Sequence, residues 1–323
     1  MGKINAVITG VGGYVPDYVL TNEELSRMVD TSDEWIMTRV GIKERHILTE
    51  EGLGTSYMAR KAAKELIKKT GVDPDTIDAL IVTTTTPDYK FPSTASIVLG
   101  KLGLKNAFAF DLEAACCGFI YTLDVAASMI QSGRFKKIIV IGADKMSSLV
   151  DYQDRSTCVL FGDGAGAVVL KASSDPGILA ARMYADGDYG EKVLSLTASL
   201  NHGVISGDPY IRMDGRQVFR LAVEGLVGSA REVADLACVH TEDVALFVPH
   251  QANLRIMTMV AAKLGIPEER MVRTVAEHGN TSAASVPLAL DRAVRAGMVK
   301  PGELVLLQGV GAGMAWGSAL IRW

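Results

Sequence analysis

A chain of 323 residues with 48% hydrophobic content carries ample apolar material for a large buried core, and its length suggests about two units of ~150 residues. Its formal net charge of −4 argues against general nucleic-acid binding but leaves room for a local basic patch. No run approaches 18 uninterrupted apolar residues, so no membrane span is expected. The four cysteines (Cys116, Cys117, Cys158 and Cys238) show no paired CxxC spacing and follow no secretory signal, which fits a reduced, cytoplasmic protein.

In chain order, INAVITGVGGYVP (4–16) reads as a strand entering a glycine turn. A dinucleotide loop would look similar, but Pro16 stands where its phosphate-binding helix would begin. Two helix starts follow, Thr21-x-x-Glu24 and Thr31-x-x-Glu34, each shaped like a capping box. The second helix carries Trp35 and Arg39 four residues apart, hence on one face. TIDALIVTTTT (76–86) is a polar lead-in to a buried strand, and a helical stretch then ends at Lys101-Leu102-Gly103. NAFAFDLEAA (106–115) is a second strand. It runs into a helix rich in small residues from Cys116 to Gly133, and KKIIVIGAD (136–144) is a third strand. The turn KASSDPG divides the chain, giving halves 1–174 and 175–323. Residues 182–220 have weak periodicity and read as an insertion near the active site.

The second half repeats the first. TEDVALFVPHQ (241–251), a helix ending Lys263-Leu264-Gly265, MVRTVAEHG (271–279), a small-residue helix from Asn280 to Gly297, and ELVLLQGVGAG (303–313) follow in the same order. The offset stays near 164 (280 − 116, 297 − 133), which sets Asn280 opposite Cys116. Two strand–helix–strand–helix–strand halves imply two similar α/β layers about a pseudo-twofold axis.

Cys116, Asn280 and His250 fall where strands end and helices begin, the positions that line sites in α/β sheets. A lone cysteine is usually core. A thiol at a helix start is instead beside backbone N–H groups that lower its pKa, so Cys116 reads as a nucleophile and Cys117 as core. His250 alone could cap the next helix, Asn280 could be an ordinary N-cap, and His278 competes with His250. As a pair, a neutral amide and an imidazole can stabilise an enolate oxygen. His46, His202 and His240 complete the histidines.

DLEAACCGF, VPHQANLRI, HGNTSAAS and GAGMAWGS resemble the four signature regions of the β-ketoacyl-acyl carrier protein synthase III family of the thiolase superfamily, and STCVLFGDGAGA (156–167) resembles its glycine-rich turn. The likeness spans essentially the whole chain. It implies an α/β, five-layered αβαβα thiolase-like fold and a homodimer. The chemistry implied is decarboxylative condensation of a short acyl-CoA with malonyl-acyl carrier protein, through an acyl-Cys116 with His250 and Asn280 on the enolate. Backbone N–H groups of Cys116 and Ala312 would form a second oxyanion hole, Ala312 standing where many relatives have Gly. The resemblance places Trp35, Arg39 and Arg155 at the CoA adenine and phosphates. It places Phe91, Phe161 and Met213 around the acyl pocket, with Phe91 reaching across the dimer. Arg220, Arg255 and Lys263 would face the acidic carrier protein, although each alone reads as a solvated charge. No cofactor or metal is implied, acyl-CoA being a substrate, and no nucleic acid or membrane is expected as a partner.

Four alternatives stay open. A 3-hydroxy-3-methylglutaryl-CoA synthase would need a catalytic Glu, and Glu113 should face away from Cys116 or pack beneath it. A plant-type polyketide synthase shares the Cys–His–Asn set but runs longer and carries a different C-terminal glycine pattern. A related synthase III-like enzyme of secondary metabolism or long-chain acyl condensation fits the same residues. A non-catalytic acyl-carrier-binding protein would have no need of all three polar residues.

Overall fold

The computed structural model describes residues 4–201 and 204–323; His202 lies outside the described residues. The first half forms a five-stranded sheet from β1 (Asn5–Tyr14), β2 (Ala79–Thr83), β3 (Phe108–Leu112), β4 (Lys137–Lys145) and β5 (Asp163–Ser173), in the spatial order β1-β5-β4-β2-β3. β2 runs parallel to both β3 and β4, while β5 is antiparallel to β4 and β1. The second half forms a sheet from β6 (Ile178–Ala185), β7 (Leu246–Pro249), β8 (Leu304–Gly311) and β9 (Ala315–Arg322), in the order β7-β8-β9-β6. A single bridge from Met271 to Phe247 stands where β3 stands in the first sheet. Reading from that end, the two sheets share one strand order.

Helices cover the sheets in layers: α1 (Asp33–Val40), α2 (Thr55–Thr70), α3 (Thr94–Leu102), α4 (Gly118–Gln131), α5 (Gly215–Leu236), α6 (Leu254–Leu264) and α7 (Ser285–Arg295). The outer face of the first sheet packs on α2 and α3 through Met58, Leu66, Leu80, Val82 and Ile139. Between the sheets lie α4 and α7, whose Phe119, Leu123, Val286 and Leu290 share one core with strand residues of both sheets. α5 and α6 close the far face. Sandwiched strands need apolar residues on both faces, and every residue of β2 and β8 is buried. This is the five-layered thiolase-like frame. No helix among the described residues is long and apolar enough to cross a membrane.

Four local expectations need correction. Thr21 does cap a short helix, Asn22–Leu25, by accepting the Glu24 amide, but the Glu24 carboxylate takes the Tyr18 hydroxyl instead of closing a box. The cap of α1 is Ser32, not Thr31, with its hydroxyl accepting the Trp35 amide. The stretch 271–279 forms no strand beyond its bridge. The Gln251 side-chain oxygen takes the amides of Thr274 and Val275 and so starts a helical turn, Val275–His278. Finally, the glycines of 162–166 mostly belong to β5 and not to a turn. A Cβ on Gly166 would lie 2.6 Å from the Leu288 amide, so glycine there lets the central helix α7 press onto the strand.

The pseudo-twofold register also differs from expectation. β2 and β7, β4 and β8, and the turns preceding α4 and α7 all stand 167 residues apart (246 − 79, 304 − 137, 282 − 115). The residue equivalent to Cys116 is therefore Ala283, three beyond Asn280.

Candidate active site

A one-turn segment, Ala115–Cys117, joins β3 to α4. Ala115 holds a left-handed φ of 47°, a conformation that non-glycine residues seldom adopt, and it turns the chain sharply so that Cys116 faces inward. The opposing hairpin comes unusually close, since a Cβ on Gly311 would lie 2.6 Å from the Cys116 amide. Cys116 is buried, yet it lines two cavities, of about 1100 Å³ and about 630 Å³. Cys117 is core, with its sulfur near the Gly309 carbonyl oxygen at 3.4 Å.

His250 follows β7 directly, and its amide donates to the Gln308 carbonyl of β8 at 2.8 Å. Its Nδ1 lies 2.5 Å from Ser285 Oγ at the start of α7. The Asn280 backbone is clamped by Leu160 and Gly162: its amide donates to the Leu160 oxygen, and its own oxygen accepts from the Gly162 amide. The Asn280 side-chain oxygen accepts the Ser282 amide at 2.9 Å, which leaves its NH₂ as the free end. His250 and Asn280 line the larger cavity together with Cys116. The competitor His278 lines neither. It packs edge-on against His46, with ring centroids 5.8 Å apart.

Burial dominates the electrostatics. It pushes the Cys116 thiol up to about 12, outweighing the Ser282 hydroxyl and the backbone amide that act the other way. The helix start therefore does not yield a resting thiolate, contrary to the expectation from its position. Burial alone also lowers His250 to about 3, so the imidazole is neutral at physiological pH.

Around this centre, Trp35 and Arg39 line the larger cavity. The Arg39 guanidinium lies 6.0 Å and that of Arg155 5.3 Å from the Trp35 ring, and Arg155 is tethered to the Asp30 carbonyl at 3.0 Å. Arg255 also lines this cavity, over Phe219 at 5.8 Å. Arg220 and Lys263 are exposed on the neighbouring helices α5 and α6. Phe161 borders both cavities, whereas Met213 borders only the larger, on the Trp35 side. Phe91 lines neither and is 86% exposed on the surface. Ala312 and Glu113 line the smaller cavity, and Glu113 is exposed. Among the described residues no group of three His, Cys, Asp or Glu side chains is placed to hold a metal ion.

Several residues of the site have no obvious signal in the sequence. Ser285 is one, lost in a small-residue helix. Arg212 is another: it pairs with Asp208 at 2.7 Å, Asp151 at 3.2 Å and Asp154 at 3.3 Å, pinning the 182–220 insertion beside the larger cavity. Asp144 is a third, fully buried and accepting from Thr84, Thr85, Thr86 and the Ala283 amide.

A buried thiol at a strand-to-helix elbow lining two cavities, on a duplicated five-layered frame, defines a condensing acyltransferase of the thiolase type. Residues 110–187 match the family model described as 3-oxoacyl-[acyl-carrier-protein] synthase III, and residues 235–323 match its C-terminal model. A beta-ketoacyl-[acyl-carrier-protein] synthase III of Phocaeicola vulgatus is 53% identical, covering 100% of this chain and 98% of the relative. The crystal structure of 3-oxoacyl-[acyl-carrier-protein] synthase III from Aquifex aeolicus is 50% identical, with a TM-score of 0.92 over 98% of this chain and 100% of that one. The priming β-ketosynthase of the R1128 polyketide pathway is 39% identical, with a TM-score of 0.94 over 99% and 97%. The chain belongs to the 3-oxoacyl-[acyl-carrier-protein] synthase III family.

Proposed function

We propose that this enzyme joins a short acyl group, acetyl in the first instance, from acyl-CoA to malonyl-acyl carrier protein, the initiating step of fatty acid synthesis. The Cys116 sulfur loses its proton as it attacks the acyl-CoA carbonyl, and CoA leaves as the thiol, giving an acyl-enzyme. Malonyl-carrier protein then loses carbon dioxide. The enolate oxygen is held by N–H groups of His250 and Asn280, while the enolate carbon attacks the acyl thioester and displaces the Cys116 thiolate, which takes up a proton from solvent. Amides of Cys116 and Ala312 stabilise the oxyanion formed on the acyl carbonyl.

The observation that carries this reading is the position of Cys116 on two cavities, with both neutral side-chain donors on the larger one. Trp35 and Arg39 at that cavity, with Arg155 against the Trp35 ring, suit an adenine and phosphates. Arg220, Arg255 and Lys263 suit an acidic carrier protein. The smaller cavity then takes the acyl chain, with Phe161 as its shared wall. β3 leaves its outer edge open in the sheet, and Phe108 and Phe91 are exposed on the surface. These features support a homodimer in which Phe91 reaches the partner's acyl pocket. The four free cysteines fit a cytoplasmic enzyme.

The decisive experiment supplies acetyl-CoA and malonyl-carrier protein and measures carbon dioxide and 3-oxoacyl product. Absence of both, with protein that binds the carrier, would show a non-catalytic acyl-carrier binder. A second reading, a priming enzyme for longer acyl groups, draws on the size of the smaller cavity. Its volume of about 630 Å³ greatly exceeds the ~10–15 Å³ needed to hold one water. A preference for octanoyl- over acetyl-CoA in kcat/KM would establish that alternative.

A further inference from the structure

We propose that Ser285 is a positioning residue that sets the tautomer of His250, so that the ring presents Nε2–H to the larger cavity. The inference rests on His250 acting as a neutral donor, and it adds the residue that makes it one.

Ser285 Oγ has two partners: it accepts the Gln251 backbone amide at 3.3 Å and lies 2.5 Å from His250 Nδ1. A hydroxyl has one hydrogen to give and two lone pairs to receive. With the proton on Nδ1, Ser285 would receive two N–H groups, and its own hydrogen would have no acceptor among the described residues. With Nδ1 unprotonated, the hydroxyl donates to it and every group is satisfied. Ser285 and His250 are both buried, so an unmade hydrogen bond has no bulk water to fall back on. The neutral ring then carries its single proton on Nε2, the nitrogen that Ser285 does not hold.

Asn280 is oriented by a parallel device. Its oxygen is occupied by the Ser282 amide, so its NH₂ is the end left for a ligand. Two serines of one turn and helix start thus make pure donors of two side chains that could otherwise accept. An acceptor at either place would repel an enolate oxygen, which makes the tautomer as important as the residue type.

Long-range ¹H–¹⁵N correlation on the labelled full-length enzyme reads the His250 tautomer directly. The expected spectrum shows Nε2 protonated and Nδ1 bare in the wild type, and a mixture in Ser285→Ala. Malonyl-carrier decarboxylation by Ser285→Ala should fall between about tenfold and the roughly 10²–10³-fold cost of one lost oxyanion donor, while acyl loading onto Cys116 continues. The near-isosteric Ser285→Cys, a weaker donor, should fall between the two. A protonated Nδ1 in the wild type overturns the proposal, as does unchanged decarboxylation in Ser285→Ala or an equal loss of loading and decarboxylation. If Ser285→Ala does not fold, the wild-type spectrum decides alone. An enzyme with Nε2–H that releases no carbon dioxide from malonyl-carrier protein overturns the proposed function and leaves the tautomer standing.

Discussion

The turns that start α4 and α7 are copies with different contents. Both open on a non-glycine residue in the left-handed region, Ala115 at φ 47° and Ser282 at φ 52°, and both enter a buried central helix after one tight turn. The middle residue of the first is Cys116, which faces the cavities. The middle residue of the second is Ala283, whose amide is captured by Asp144 at 3.0 Å. Duplication supplied the same strained backbone twice. Only one copy presents a thiol to the cavities, and the other, whose first residue lies two beyond Asn280, is anchored through Asp144. The geometry of an elbow is therefore separable from its chemistry.

The comparison breaks most sharply at the sulfur. Cys116→Ala should abolish acyl-enzyme formation, whereas Cys117→Ser should retain it. Intact-protein mass after incubation with acetyl-CoA distinguishes the two, and label retained in Cys116→Ala would move the nucleophile elsewhere.

His250→Ala and Asn280→Ala probe the second turn's side. Each should lower malonyl decarboxylation by roughly 10²–10³ while loading of Cys116 persists. Equal collapse of both stages, followed with separate radiolabels on acetyl-CoA and malonyl-carrier protein, would contradict the division of labour.

Opposite pH responses sharpen the contrast. His250 and His278 have folded values of about 3 and about 4, held down mainly by burial, against an ordinary value of 6.5. The unfolded chain therefore binds protons first as pH falls. Their contribution is full above about 6.5 and is lost as pH drops toward about 4 for His278 and about 3 for His250. Cys116 behaves in the reverse sense. Its folded value is about 12 against 9.0, so its contribution is lost as pH rises above about 9. Urea midpoints across pH should fall at both ends, and His278→Gln should flatten only the acid limb. Alkylation of Cys116 by iodoacetamide should rise about tenfold per pH unit below about 12. A rate already level at pH 7 would show a resting thiolate.

The smallest effect is expected on the surface. Lys263→Glu should raise KM for malonyl-carrier protein several-fold at low salt, and the difference should shrink as exposed charges are screened over ~10 Å at 0.1 M. An unchanged KM would remove Lys263 from the docking patch.

The strands and central helices were legible in the sequence because their signals are local. Runs such as ALIVT and LVLLQGVG carry apolar side chains for both faces, and small-residue helices suit a layer between two sheets. Cys116 and His250 were legible for a related reason, since each follows the end of a strand, whereas Asn280 follows the helical turn Val275–His278, where the sequence predicts a strand. The repeat was legible too, but not its register. Counting back from Gly133 and Gly297 pairs Cys116 with Asn280. The 14-residue α4 and the 11-residue α7 absorb the missing three positions, and only strand pairing shows that Ala283 is the true counterpart. Tertiary structure also put His250 and not His278 on the larger cavity, set Met213 on that same cavity and raised the Cys116 thiol. Each of these depends on burial or on a partner far along the chain, as Ser285 is from His250 or Gly311 from Cys116. Local periodicity carries no record of such neighbours, because desolvation and close approach arise only when the two halves pack.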